Sequence, residues 1–283
     1  MKRVAKLFGM DSDIAEFDED LNRVKDVFLS SAWDEESGYF GYVLHRSDGT
    51  REIFRTESGE NFNKGMDGVT PLIAGICTED QEKELLQHLK SDQELWSCVG
   101  ISTVDMSASY FYDNGYWNGS VWYPYQYLIW KAMLDIGENA FAYKIAERAL
   151  TSWKQETEFS YNTFEMMQIE TERGGWFHQF SGLSSPIVTW YHAYYKKGSV
   201  TTGYETWIEK QWFSEDYTEA VIHYELNEKK KNRVIIVMDS DYDYQVFVNG
   251  KLVKYEEHAD GALEISLSEK KGEIKVVKNE EIL

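Results

Sequence analysis

Two consecutive helical segments in the middle of the chain limit what it can fold into. Residues 121–136 carry apolar side chains on nearly every side, which is typical of a helix that is buried all round. After Gly137, residues 138–154 have a single apolar stripe, which includes Ile145 and Trp153, and a charged opposite face. A wholly buried helix followed at once by an amphipathic one predicts an inner and an outer helical layer, as in an α/α toroid.

Helical spacing also appears on the N-terminal side of this pair. We predict a short helix near residues 4–8, a second one that starts after Asp13, a hairpin around Ser47-Asp-Gly, and a third helix over 78–90. Thr78 and Gln81 form a capping pair at the start of the third helix. The total comes to about six or seven helices, which is roughly half of a closed ring.

The pattern changes near Trp207. Short, often alternating apolar segments follow one another there, and Asn249-Gly250 between two of them is a strong hairpin signal. Residues 207–283 are therefore predicted to form a small β-sandwich. The whole fold is predicted to be mainly α, with an (α/α)6-toroid-type domain over residues 1–206 that is incomplete at its N-terminus. We expect a second chain or an N-terminal segment to complete the ring.

The charge balance excludes some partners. Lys and Arg number 29 against 49 Asp and Glu, a net charge of −20, which argues against nucleic acid and against a polybasic membrane surface. No apolar run approaches the ~18 residues of a membrane span, and the N-terminus lacks a signal peptide. Cys77 and Cys98 form no disulfide framework, so we expect a cytoplasmic protein.

Motifs for metals, cofactors and other hydrolases are missing from the sequence. The six histidines are scattered, and none lies in an HExxH motif. The sequence contains no GxGxxG, P-loop or GxSxG motif. We therefore predict neither a metal nor a cofactor.

Aromatic residues make up 15% of the chain and are dense in residues 115–126. Flat apolar rings with N–H or O–H groups at the rim suit the faces and hydroxyls of a sugar. Trp117 and Trp122 supply such rings here, and the Asn118 amide offers both a donor and an acceptor. The segment predicts a sugar-binding loop at one mouth of the ring. The alternative is a loop that packs against the end of the barrel.

Two carboxylates lie in apolar surroundings. Glu165 is flanked by Phe164 and Met166, a setting from which general acids and bases arise. The alternative is a partly buried glutamate that pairs with Arg or Lys. Asp105 ends an apolar stretch, and it is either a candidate sugar ligand or a helix cap or solvated loop residue.

A third polar-aromatic segment spans residues 174–185. It supplies Trp176, His178 and Gln179 just before a predicted helix, and its glycines permit a closely packed loop. A hydrogen-bonded structural role is the alternative for His178.

Five segments, in this order, carry a resemblance to a known family: Asp67-Gly-Val-Thr-Pro-Leu-Ile-Ala-Gly, Gly100-Ile-Ser-Thr-Val, Tyr116-Trp-Asn-Gly-Ser-Val-Trp, Phe164-Glu165 and His178-Gln-Phe-Ser-Gly-Leu-Ser. They resemble the α/α-toroid glycoside hydrolases of the trehalase and processing-glucosidase group, nearest glycoside hydrolase family 63. The resemblance covers about residues 65–195. It implies a ring that encloses a pocket, in which two carboxylates hydrolyse a glycosidic bond with inversion.

The resemblance also implies roles for individual residues. Glu165 matches the general base of the family, Trp117 matches a tryptophan that lines the sugar site, and Gln179 matches a glutamine near the sugar or the attacking water. The implied substrate is an α-linked glucoside or mannoside. The candidate sugar-binding residues are Trp117, Asn118, Asp105, Trp122, Trp176, His178 and Gln179.

The chain departs from the family pattern in two places. Asn118 stands where the family usually has Arg, so a charged donor is missing and the substrate is left open. The general acid of the family is an Asp well upstream of the base, in a region that precedes residue 1. Asp67 superficially resembles the acid motif and is the candidate within this chain, although its neighbours Thr70-Pro-Leu match a later segment of the family.

Three functions are consistent with these sequence features. The first is a glycosidase, or the C-terminal part of one, with Glu165 as general base. The second is a non-catalytic sugar-binding or structural remnant of such an enzyme. The third is a protein–protein interaction module, because an incomplete ring exposes apolar helix faces.

Overall fold

The computed structural model describes residues 2–227 and 230–279. Its helices are α1 (Lys2–Leu7), α2 (Asp11–Ser31), α3 (Met66–Ile73), α4 (Glu79–Lys90), α5 (Tyr123–Ile136), α6 (Asn139–Ser160), α7 (Ser181–Ser184) and α8 (Pro186–Tyr195).

Short hairpins alternate with these helices. Their strands are β1 (Trp33–Asp34), β2 (Tyr39–Phe40), β3 (Val43–His45), β4 (Arg51–Ile53), β5 (Trp96–Ser97), β6 (Gly100–Ile101), β7 (Phe164–Met167) and β8 (Gly174–His178). Each pairs antiparallel with its neighbour in the sequence, giving four separate two-stranded sheets.

The C-terminal part of the chain forms two larger sheets. Their strands are β9 (Ser199–Thr202), β10 (Thr206–Phe213), β11 (Glu219–Leu226), β12 (Arg233–Val237), β13 (Tyr244–Val248), β14 (Lys251–Val253), β15 (Tyr255–Glu257), β16 (Ala262–Ser266) and β17 (Lys271–Lys278). One sheet has the order β10-β11-β17-β13-β14 and the other β15-β16-β12-β9. Apolar side chains from both, such as Ile222 and Ile236, share one buried cluster.

The prediction of a mainly α toroid is wrong. Helices hold 35% of the structure and strands 28%, so the fold is mixed. The long connections that precede α3 and α5 are folded as hairpins and turns, and the hairpin predicted around Ser47-Asp-Gly is confirmed as the β3–β4 pair. Their strands have two or three residues, and strands this short depend on a partner across a turn rather than on their own periodicity.

The central helix pair, α5 and α6, lies at the residues predicted for it. α5 packs against α6, which also contacts α8. Ile129, Trp130 and Met133 of α5 are completely buried, whereas α6 buries one stripe that includes Ile145 and Ala149. The predicted capping box is confirmed at α4, because the Thr78 hydroxyl accepts from the Gln81 N–H and the Gln81 side chain accepts from the Thr78 N–H.

The second predicted helix differs from the structure in its start and its burial. α2 begins at Asp11, so Asp13 lies inside the first turn instead of capping it. None of its residues is buried, and Leu21 and Val24 of its apolar stripe are 56% and 48% exposed. The stripe is amphipathic as expected, but the described part of the chain does not cover it.

The sheets join the helical part through polar and apolar contacts. The buried Asp135 carboxylate of α5 accepts from the backbone N–H groups of Tyr204 and Glu205 at 2.7 and 3.2 Å. β9 lies before the predicted domain boundary at residue 207, yet it pairs with β12 of the four-stranded sheet. The division into 1–206 and 207–283 stays a prediction.

The hairpin predicted at Asn249-Gly250 is confirmed. β13 and β14 pair up to Val248 and Lys251, and both turn residues have positive φ, at 51° and 74°. Positive φ at both positions is the geometry of a type I′ turn.

Across residues 2–227 and 230–279, no helix combines the length and apolar character needed to cross a membrane.

Candidate active site

The loop before α5 and the β7–β8 hairpin form one structural unit. Val121 of the loop and Met167 of β7 exchange two backbone hydrogen bonds of 2.9 Å, which form an isolated bridge. The Ser184 hydroxyl of α7 donates to the Phe164 carbonyl oxygen at 2.7 Å and fixes the start of β7. These bonds place residues 115–122 beside Glu165, although more than forty residues separate them in the sequence.

Glu165 lies in β7, where the pairing register with β8 shifts between Phe164 and Met166. Its side chain is 6% exposed. The Tyr116 hydroxyl donates a hydrogen bond to Oε1 of Glu165. The other oxygen, Oε2, is buried and has no hydrogen-bond partner in the described part of the chain. The partner of this carboxylate is therefore a phenol, not the Arg or Lys of the alternative interpretation.

An aromatic cluster surrounds the Tyr116 ring. Trp122 and Trp176 meet it edge to face, with ring centroids 4.8 and 5.0 Å away, and Trp117 lies at 5.4 Å. Trp117 stacks on Trp122 at 4.0 Å and 9°. Trp122 is buried, while 51% of Trp117 and 59% of Trp176 are exposed. The cluster thus exposes the indoles of Trp117 and Trp176 to solvent close to the buried Glu165 carboxylate.

The β8 segment has an unusual backbone. Trp176 and Gln179 adopt φ of 61° and 65°, a left-handed conformation that is uncommon for residues other than glycine. The Gln179 N–H donates to the Thr163 carbonyl oxygen at 2.7 Å, so the turn is tied to the residue before β7. The side chains of His178 and Gln179 are exposed. Such backbone geometry occurs often at functional sites and here brings the Trp176 ring against Tyr116.

A cavity of about 410 Å³ adjoins this cluster. Trp117, Asn118 and Asp67 line it, together with residues of the loop 62–66. The exposed Asp67 carboxylate of α3 accepts from the Tyr42 hydroxyl at 2.6 Å. Burial and this hydrogen bond raise the pKa of Tyr42, so the hydroxyl stays a donor. The Asn118 side-chain amide donates to the Tyr110 carbonyl oxygen at 3.2 Å, which orients it on the cavity wall.

Asp105 lies behind this wall. It is fully buried, and its oxygens accept from Tyr39 at 3.0 Å and from the Ser107 N–H and hydroxyl at 2.8 and 2.6 Å. The Lys64 ammonium group is 3.5 Å away, and Lys64 itself lines the cavity. The predicted contact of Asp105 with sugar stays a prediction; the observed contacts link it to the cavity through Lys64.

The structure brings most of the predicted site residues together. Trp117, Trp122, Trp176 and Glu165 share one cluster around Tyr116, and Asn118 and Asp67 line the adjoining cavity. Tyr116 was not predicted as a site residue, although it precedes Trp117 in the aromatic motif. Tyr42 was not predicted either, and the sequence carries no signal for it because its partner Asp67 lies 25 residues away.

One group in the described residues has donors suited to a metal ion. His88, Glu94 and Asp105 place a ligand atom each within 4.8 Å of one another. The His88 Nδ1 is 2.9 Å from Glu94, and the Lys64 ammonium group lies beside Asp105. Each of the two carboxylates therefore already has a nitrogen partner within the protein.

Comparison with known proteins gives the same family context as the motifs. Residues 1–172 match the profile of the mannosylglycerate hydrolase MGH1-like glycoside hydrolase domain. No curated protein sequence matches the chain.

Three solved structures are similar to the fold. The GH63 mannosylglycerate hydrolase from Thermus thermophilus, in complex with glucose, has a TM-score of 0.52 and 23% identity, over 67% of this chain and 43% of that chain. An uncharacterized conserved protein from the same organism has a TM-score of 0.53 and 23% identity, over 67% and 44%. A sialidase reaches 0.55 at 12% identity, over 93% of this chain and 25% of that chain. At these identities the likeness concerns the fold, and the chain spans less than half the length of each.

Proposed function

The chain belongs to the mannosylglycerate hydrolase MGH1-like glycoside hydrolase family, and we propose that it acts on α-linked glucosides or mannosides with Glu165 as the general base. The observation that supports this role is the state of its carboxylate. One oxygen is held by Tyr116, and the other is buried beside the Trp cluster without a partner among the described residues. A general base needs a carboxylate oxygen whose lone pairs no protein donor occupies, so that it can accept a proton from water.

The proposed reaction is hydrolysis with inversion. Glu165 Oε2 takes a proton from water while the water oxygen attacks the anomeric carbon, and the bond from that carbon to the leaving oxygen breaks. A general acid must protonate the leaving oxygen, and in inverting enzymes the two carboxyl groups are about 6.5–9.5 Å apart. We place this acid outside the chain. Asp67, on the cavity wall, is the candidate within it.

The sugar would lie against the open indoles. Trp117 and Trp176 present apolar faces that suit the C–H face of a pyranose, and Asn118 offers a neutral amide on the cavity wall. The exposed side chains of His178 and Gln179 are close in sequence to Trp176 and are proposed as further hydroxyl contacts. A pocket of about 410 Å³ falls in the range of small-molecule sites.

The test uses substrates that need no acid. In α-glucosyl fluoride and α-mannosyl fluoride, fluoride leaves without a proton, so the base half of the reaction can be measured on the chain itself. We expect hydrolysis of one of them with inversion, followed by NMR of the released sugar. Glu165→Gln should lower kcat by about 10²–10⁴-fold, because the amide cannot accept the proton. Glu172→Gln, an exposed position on the same hairpin, is the matched control.

Two results would contradict the proposal. A Glu165→Gln variant that hydrolyses the fluoride at the wild-type rate would remove the general-base role. If calorimetry shows sugar binding and neither fluoride is turned over, the chain is instead a non-catalytic sugar-binding remnant.

The proposed setting is the cytoplasm, with a carbohydrate substrate and a second chain or an N-terminal segment as a further partner. In the described part of the chain Cys77 and Cys98 are free, which suits a reducing compartment. The uncovered apolar stripe of α2 supports the idea that other helices, from a second chain or an N-terminal segment, pack there.

A further inference from the structure

We propose that Tyr116 is a positioning residue that orients the Glu165 carboxylate and leaves Oε2 as the oxygen that accepts the proton. The inference rests on the proposed role of Glu165 as a base and adds a second residue to it. It is carried by the hydrogen bond between the two side chains and by the packing that fixes the tyrosine ring.

The hydrogen bond makes the two carboxylate oxygens different. The Tyr116 hydroxyl donates to Oε1, and Oε2 is buried with no partner in residues 2–227 and 230–279. The bond to Glu165 and burial raise the pKa of Tyr116, so the phenol keeps its proton and remains a donor. A donor on Oε1 stabilises the ionised carboxylate and stops it from rotating freely.

Contacts with several neighbours fix the position of the Tyr116 ring. The backbone carbonyl oxygen of Tyr116 accepts from the Trp122 indole N–H at 2.9 Å. The Trp122 and Trp176 rings meet the phenol ring edge to face, at 4.8 and 5.0 Å. The preceding residue, Gly115, is locked because its carbonyl oxygen accepts from the Ser120 N–H and hydroxyl at 3.0 and 2.6 Å. The phenol is thus held before any substrate arrives, as positioning requires.

Other charged groups on the elements around Glu165 pair elsewhere or have exposed side chains. Arg173, just before β8, pairs with Glu156 of α6 at 2.6 Å. His178, at the end of β8, has an exposed side chain and lies opposite Phe164 in the register. Glu170, beyond β7, accepts from Asn114. Tyr116 is therefore the group whose contact with Glu165 the structure shows.

The matched pair of variants is Tyr116→Phe and Tyr123→Phe. Both remove one phenol hydroxyl and keep the ring. The Tyr123 hydroxyl donates to the Ala149 carbonyl oxygen at 3.1 Å, and its ring contacts Phe164, next to Glu165. Loss of that hydroxyl affects packing near Glu165 without touching its carboxylate. Thermal unfolding of both variants checks that they fold.

The first measurement needs no activity. Glutamate carboxyl carbons are labelled with ¹³C, the Glu165 signal is assigned by its loss in Glu165→Gln, and its chemical shift is measured by NMR at pH 7. Tyr116→Phe should change this chemical shift, because the carboxyl group loses the hydrogen bond that Oε1 accepts. Tyr123→Phe should leave it in place. Equal chemical shifts in wild type and Tyr116→Phe would overturn the proposal, whether or not the chain proves to be a hydrolase.

The second measurement uses the glycosyl fluorides. Tyr116→Phe should lower kcat by about 10-fold or more with little change in KM. A change confined to KM, or an equal loss of kcat in Tyr123→Phe, would show a structural effect and overturn the proposal. Absence of turnover in wild type would instead count against the proposed function, and the ¹³C measurement would still decide the role of Tyr116.

Discussion

At the scale of single residues, Glu156 shows how a buried carboxylate supports the site from a distance. It lies in α6 with 4% of its surface exposed, and it accepts from the Arg173 side chain at 2.6 Å and from the Gly174 N–H at 3.1 Å. Burial opposes its ionisation, but the bonds from Arg173 and Gly174 outweigh burial and lower the pKa of Glu156. The pair anchors the start of β8, two residues before Trp176.

A pH dependence of stability follows from this depressed pKa. The contribution of Glu156 is fully present above the pKa of an unfolded glutamate, about 4.3, and is lost as the pH falls through the lower folded value. Glu156→Gln should lower the free energy of unfolding at pH 7 by about 1 kcal/mol, a modest figure because Arg173 is 43% exposed. Urea unfolding at pH 7 and pH 3.5 should show a smaller difference between variant and wild type at the acidic pH.

The control for Glu156 lies on the same helix. Glu158 is exposed and 3.8 Å from Lys154, so Glu158→Gln should change the free energy of unfolding by less than about 0.5 kcal/mol at either pH. A Glu156→Gln effect that is equal at both pH values would contradict the assigned cause.

At the scale of secondary-structure elements, some are specified by residues close together in the chain and others by contacts with distant segments. The capping box of α4 and the turn between β13 and β14 are each specified by two residues. The β7–β8 hairpin, in contrast, depends on bonds from the loop before α5 and from α7, which the sequence does not indicate. That hairpin carries Glu165 and Trp176, so the positions of these two side chains depend on long-range contacts.

The turn at Asn249-Gly250 gives a prediction on backbone strain. A Cβ at Gly250 would meet no atom within 4 Å, so the cost of Gly250→Ala comes from its φ of 74°. We expect a loss of about 1 kcal/mol in the free energy of unfolding. Gly182→Ala is the control, since the same open space surrounds a helical glycine with no positive φ, and alanine should be neutral or slightly stabilising there. Equal effects at both sites in urea unfolding would contradict the strain argument.

At the scale of the whole molecule, α1 and the apolar stripe of α2 form an uncovered apolar surface. Val4 and Leu7 of α1 and Leu21, Val24 and Phe28 of α2 are all more than a third exposed. A 21-residue helix with no buried residue contributes little to the core of this chain. An exposed apolar stripe of this kind is typical of a surface that packs against another segment or another chain.

This exposure predicts that polar substitutions on α2 are tolerated. Leu21→Gln with Val24→Gln should change the free energy of unfolding of the chain by less than about 0.5 kcal/mol, because both side chains already contact water. Leu85→Ala in α4, where the leucine is completely buried, should cost about 2–5 kcal/mol and is the positive control. A loss above about 2 kcal/mol in the α2 variant would show that the stripe is packed in solution.

Features that depend on residues close together in the chain could be predicted from the sequence. The helices α4 to α6, the Thr78 cap and the Asn249-Gly250 turn follow from periodicity and turn chemistry within a few residues. The motifs also identified the family and named Glu165. The predicted class, mainly α, was wrong because several short strands lie between the helices, and strands of two residues, such as β5 and β6, have no period of their own to detect.

Which of these residues come into contact depends on how distant segments pack. Tyr116 and Glu165 are 49 residues apart, and Tyr39 and Asp105 are 66 apart, so no local pattern predicts their hydrogen bonds. The burial of one carboxylate oxygen and the hydrogen bond on the other arise from the packing of a loop, a hairpin and α7 around them. Chemistry at this site depends on distances between side chains, and those distances are fixed when distant segments pack together.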